Sequence, residues 1–74
     1  MTDDHIVDAT GLLCPLPVLK LRKALMAAAP GTSVTLVTDD PAAVIDVPHF
    51  CNEAGHILTK QNTDSAPYRF TVKR

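Results

Sequence analysis

Aromatic side chains are nearly absent from this sequence: Phe50, Phe70 and Tyr68 stand alone, and there is no tryptophan. A core must therefore be built from Leu, Val, Ile and Ala. Long apolar runs are missing too. None approaches the ~20 residues that span a bilayer, so no membrane partner is expected. The opening residues Met1-Thr2-Asp3-Asp4-His5 are acidic where a secretory leader would be basic, and no apolar stretch follows them. The expected location is the cytoplasm. Positive charge is not in excess: the formal net charge is −1 and the pI about 6.2. That balance argues against direct nucleic-acid binding, which favours a strongly basic face. Only two cysteines occur, Cys14 and Cys51. In a reducing compartment a disulfide framework is a poor default. No Cys-x-x-Cys is present, and His49-x-Cys51 is the one close pair of metal-ligand types. No metal and no organic cofactor is expected.

What is present fits one small domain over residues 1–74. Hydrophobic residues make up 46% and charged residues 20%, which is ordinary globular usage and argues against disorder. The pattern reads strand, helix, strand, helix, strand, strand. Residues 5–8 suggest a short strand. Over 15–29, Val18, Leu21, Leu25 and Ala28 or Ala29 recur at helical spacing, and Pro30-Gly31 ends the run. Residues 33–38 are β-branched and alternate. Asp39-Asp40-Pro41 starts a second helix, with an Asp as cap and Pro41 at the first helical position. Pro48 predicts a kink or two short pieces. Residues 56–61 and 67–72 read as strands joined by a loop over 62–66. So few helices on so small a sheet can cover only one face. The expected fold is α+β: a two-layer α/β sandwich, βαβαββ, with a mixed four-stranded sheet and two helices on one side.

The segment Gly11-Leu12-Leu13-Cys14-Pro15-Leu16-Pro17 carries the chemistry. With Pro15 first in the helix, Cys14 takes the N-cap position, and the residue before a proline favours the extended backbone that a cap needs. A thiolate there gains from the positive end of the helix dipole and from free N–H groups. Pro15 and Pro17 remove two of the four first-turn donors, and the one left at the second helical position is that of Leu16. Leu13 and Val18 form a candidate staple across the helix start. These features predict a thiol that titrates below a free cysteine, with desolvation by Leu12, Leu13 and Leu16 opposing. Cys51 shares helical spacing with Val47, Phe50 and Ala54 and reads as a core residue. A Cys–His pair of Cys14 with His5, His49 or His56 is open on spacing alone. Lys20, Arg22 and Lys23 make the first helix positive, with no acid between Asp8 and Asp39, and are candidate docking residues for a partner.

Together these residues resemble the TusA, or SirA-like, sulfur-carrier family. The matching pieces are Asp8-Ala9-x-Gly11-Leu12-x-Cys14-Pro15-x-Pro17, Asp39-Asp40-Pro41-Ala42, Asp46-Val47-Pro48-x-Phe50-Cys51 and Pro67-Tyr68-Arg69-Phe70. The resemblance implies the βαβαββ fold, similar to the C-terminal domain of translation initiation factor three. It implies that Cys14 carries sulfur as a persulfide, with Pro15, Leu16 and Pro17 as the supporting motif. The implied donor is a cysteine desulfurase or another persulfide donor, and the implied recipient a downstream acceptor protein, typically on the way to 2-thiouridine in tRNA. The family often has charged residues where Leu13 and Leu16 stand, so partner docking differs here. The alternatives are a redox switch using Cys14 and Cys51, and a non-catalytic RNA or protein interaction module.

Overall fold

A computed structural model describes residues 5–74. The stretch Met1–Asp4, on which the leader reading rests, lies outside them. The expected order of elements is found: β1 His5–Asp8, α1 Leu16–Ala27, β2 Ser33–Thr38, α2 Ala43–Ala54, β3 Ile57–Asn62 and β4 Tyr68–Lys73. The sheet order is β1-β2-β4-β3. β1 and β2 run parallel, His5 opposite Val34 through Asp8 opposite Val37. Parallel neighbours need a crossover, and α1 supplies it. β4 lies between β2 and β3 and runs antiparallel to both.

Period-two alternation separates the two faces. Val34, Leu36 and Thr38 of β2 and Phe70 and Val72 of β4 are buried. Between them, Thr35 and Thr71 face the other way, their hydroxyls 3.2 Å apart. Both helices pack on the apolar face. Leu21, Leu25 and Ala28 from the α1 side and Ala43, Val47 and Cys51 from α2 join the sheet residues in one core. Ala28 rather than Ala29 therefore completes the inward stripe. The core is aliphatic with one exception: Phe70 is the largest fully buried side chain.

Several element boundaries differ from the sequence reading. α1 begins at Leu16 and ends at Ala27, inside the expected 15–29. α2 begins at Ala43, because Pro41 and Ala42 form a turn in which the Ala43 N–H donates to the Asp40 carbonyl at 3.0 Å. Pro48 does not split it: α2 is continuous through Ala54. Proline has no N–H for the Val44 carbonyl, but burial of Val47 and Cys51 on either side holds the helix in place. The last two strands each start one residue late. Gly55 adopts φ 79°, and the His56 N–H donates to the Cys51 carbonyl at 2.9 Å, so His56 closes α2 instead of opening β3. The Cys14–Pro15 and Ala66–Pro67 peptide bonds are cis.

The C-terminal end of α1 has no basic residue of its own in the last turn. Arg74, which follows β4 beside the start of β2, supplies the charge. Its guanidinium donates to the carbonyls of Ala28 and Met26, and its N–H donates to the Thr32 carbonyl at 3.0 Å. A cation there stabilises a helix by about 0.3–1 kcal/mol. Arg74→Ala should therefore lower the thermal midpoint by roughly 2–8 °C for a domain of this size. An unchanged midpoint would remove this cap.

Candidate functional site: a thiol between two helix starts

Because β1 and β2 are parallel, the loops leaving their C-terminal ends emerge at the same edge of the sheet. One leads into α1 and carries Cys14. The other leads into α2 and carries Asp39 and Asp40. The first loop is shaped at its base by Asp8. Its Oδ1 accepts from the Thr10 N–H at 3.0 Å and from the Thr10 hydroxyl at 2.6 Å. Those bonds hold the Asp8 carboxyl below its ordinary pKa. Gly11 then turns the chain at φ 81°, a conformation that favours glycine.

The two loops are tied by a pair of adjacent acids. The Gly11 N–H donates to Asp39 Oδ1 at 3.0 Å, and the Cys14 N–H donates to Asp40 Oδ2 at 2.6 Å. Asp40 is buried, and its other oxygen accepts from the Ala42 N–H at 3.1 Å. Its own N–H donates to the Thr38 hydroxyl at 3.2 Å. One carboxylate thus closes the turn that leads into α2 and fixes the backbone of Cys14. The expected Asp cap on the helix itself is not made, since the N-cap of α2 is Ala42 with no side-chain cap; Asp40 closes the turn before it instead.

The Cys14 side chain is exposed, and its S–H donates to Asp46 Oδ2 at 3.1 Å. Asp46 lies in the first turn of α2. The thiol opens onto a groove of about 390 Å³ lined by Pro15, Val18, Asp46, His49, Phe50 and Glu53. This environment reverses the expected titration. The thiol is held above an ordinary cysteine, first by the hydrogen bond to Asp46, then by desolvation and the negative charges of Asp46 and Asp40. The expected donor is otherwise engaged: the Leu16 N–H donates to the Leu13 carbonyl at 2.9 Å. The cap position falls on Pro15, which accepts no such role, so Cys14 lies just outside the helix.

The neighbouring motif residues divide by function. Pro15 lines the groove, Leu16 is exposed, and Pro17 is buried on the inner face of α1. The staple is not made, because Leu13 is 70% exposed; Leu12 packs against the core instead. Lys20, Arg22 and Lys23 are exposed on α1 but do not line the groove. The Lys20 ammonium donates to the Asp8 carbonyl at 3.1 Å, while Arg22 and Lys23 flank Leu19 and Met26. Cys51 is 3% exposed within the core, and burial pushes its thiol up. A disulfide with the exposed Cys14 would require α2 to leave the core. His49 shares the groove but lies 3.7 Å from Glu53, and His56 faces the Phe50 ring at 5.6 Å.

Sequence reasoning missed Asp39 as a loop tie and Asp46 as the partner of the thiol. The available signal for Asp46 was a single acid in the otherwise apolar run Ala42-Ala43-Val44-Ile45-x-Val47. Among the described residues, no helix is long and apolar enough to cross a membrane.

Comparison with known proteins agrees with this architecture. The chain is similar to a SirA-like protein of Desulfitobacterium hafniense whose crystal structure is solved. The likeness covers 92% of each chain, with a TM-score of 0.74 and 22% sequence identity, and it shows a shared fold. The family model for the sulfurtransferase TusA matches residues 5–74. That match takes in both loops, both helices and the whole sheet, and this protein belongs to the TusA sulfurtransferase family.

Proposed function

We propose that the protein is a sulfur carrier that holds a sulfane sulfur on Cys14 as a persulfide. The observation that carries this reading is an exposed thiol on a loop whose backbone is fixed by a buried carboxylate. Such a sulfur is accessible to a partner protein and is held in one place while the partner docks. Family membership supports a sulfur-carrier role. The Cys14 sulfur takes the terminal sulfur of a donor persulfide, and a downstream thiol then takes it from Cys14. The donor is a cysteine desulfurase or similar persulfide protein, and the acceptor a further protein, on a route to tRNA 2-thiouridine or another sulfur product. The setting is the cytoplasm, where both thiols stay reduced.

Docking falls to α1. Leu16, Leu19 and Met26 are exposed along it and Leu13 in the loop before it, an apolar surface near Cys14 bordered by Lys20, Arg22 and Lys23. A partner with an apolar, acid-rimmed patch complements that surface. Reversing all three charges should slow loading by about tenfold at low salt, since steering acts on encounter. Stability should change little, as exposed pairs contribute at most about 1 kcal/mol each. A loading rate indifferent to the reversal and to salt would remove the docking role. The carrier reading itself is tested by incubating the protein with a cysteine desulfurase and radiolabelled cysteine. Label should bind one site per chain and leave on reduction. Absence of reducible label would overturn the reading.

A further inference from the structure

Asp46 is an unusual neighbour for a sulfur that must react. The carboxylate lies 3.1 Å from Cys14 Sγ and accepts its proton in a hydrogen bond. The other ionisable groups around the thiol do not offset it. From α2 the groove receives His49 and Glu53, which pair with each other. From the β2–α2 loop, Asp40 adds a second negative charge beside the Cys14 backbone. From the α1 side come Pro15 and Val18, which carry none. The nearest cation on α1 in sequence, Lys20, is turned to the Asp8 carbonyl.

We propose, on the basis of the sulfur-carrier reading, that Asp46 weakens the carrier's hold on sulfur: it stabilises the empty carrier and disfavours the loaded one. The empty form is a neutral thiol with a proton to donate. The loaded form is a persulfide, a stronger acid than the parent thiol, and is anionic at neutral pH. It has no proton for Asp46 and meets the carboxylate as a like charge. Loading is Cys14–SH + R–S–S⁻ → Cys14–S–S⁻ + R–SH. The bond between the R sulfur and the sulfane sulfur breaks, and a bond from Cys14 Sγ to the same sulfur forms. The thiol proton leaves by way of Asp46 and ends on the departing thiolate. No net oxidant or reductant enters. Transfer to an acceptor thiol is the same exchange in reverse and restores the hydrogen bond to Asp46. The carrier is thereby biased to release sulfur to a partner thiol instead of storing it.

The test compares wild type, Asp46→Asn, Asp46→Ala and Glu53→Gln. The alanine variant removes the acceptor that asparagine retains, and Glu53→Gln alters the same groove without touching the thiol. Iodoacetamide alkylation of Cys14 at neutral pH should be about three- to tenfold faster in both Asp46 variants, the range for a charge-assisted hydrogen bond discounted for solvent screening. In a fixed mixture of glutathione persulfide and glutathione, their loaded-to-empty ratio by intact mass should rise several-fold. Glu53→Gln should change both readouts less. Equal alkylation and equal loading across all four proteins would overturn the role of Asp46 alone, as would a Glu53→Gln effect matching Asp46→Ala. Faster alkylation with no sulfur on any of the four would instead overturn the carrier reading and the relay bias with it.

Discussion

Cys14→Ser should fold as the native protein does and take up no sulfur at all. The two halves of that outcome have separate causes. Cys14 is exposed, and the bond that fixes it uses its backbone N–H, which serine retains. A serine hydroxyl also donates readily to Asp46. The stability change should stay within about 0.5 kcal/mol, as for ordinary surface substitutions. The chemical loss is complete because an alcohol does not form a persulfide, and no other exposed sulfur nucleophile remains among the cysteines, Cys51 being buried. Circular dichroism and a denaturant midpoint check the fold, and labelled sulfur checks the chemistry. Sulfur retained at a native level by Cys14→Ser would remove Cys14 from the mechanism.

Asp40→Ala should be the most damaging change near the site. Asp40 is 7% exposed and serves two backbone donors, the N–H groups of Cys14 and Ala42. Its loss leaves both without their partner, at about 1–3 kcal/mol for each that water cannot reach. Since both are only partly buried, a total of about 2–4 kcal/mol is expected. Stability for a domain of this size is on the order of 4–11 kcal/mol, so the change is a large share of the whole. Asp40→Asn separates the two tasks. Its one oxygen can serve one donor, but its NH₂ then faces the other, so it should recover only part of the loss. Cys14 should also react differently, because the bond that fixes its backbone to the β2–α2 loop is gone. Urea midpoints and Cys14 alkylation rates measure the two effects. Midpoints of both variants equal to the native value would show that the carboxylate does not tie the loops.

The architecture was legible in the sequence because alternation and helical spacing are local signals. Val34, Leu36, Phe70 and Val72 alternate as buried strand residues do, and Leu21 and Leu25 share a helix face. Cys14 was legible because proline on both sides of Leu16 is a local conflict that marks a site. Its electrostatics were not. The sequence shows which helix begins beside Cys14, and that helix argues for a lowered pKa. It does not show that the first turn of a second helix faces the same thiol. Asp46 is 32 positions away in the chain, and its hydrogen bond is the first cause that holds the thiol above an ordinary cysteine. The intact α2 was hidden for a related reason. Pro48 disfavours a helix locally, whereas Ala43, Val47 and Cys51 hold it through contacts with strands that lie elsewhere in the sequence.

The most direct measurement is a peptide-level mass spectrum after incubation with a cysteine desulfurase and cysteine, digested by trypsin without reductant. Cleavage after Lys20, Lys23 and Lys60 places Cys14 in the fragment 1–20 and Cys51 in the fragment 24–60, so each thiol reports separately in one digest. The expected result is a gain of one sulfur atom on the Cys14 fragment, removed by reductant, with the Cys51 fragment unchanged. Sulfur on the Cys51 fragment alone, or on neither, would contradict the central claim that Cys14 carries it.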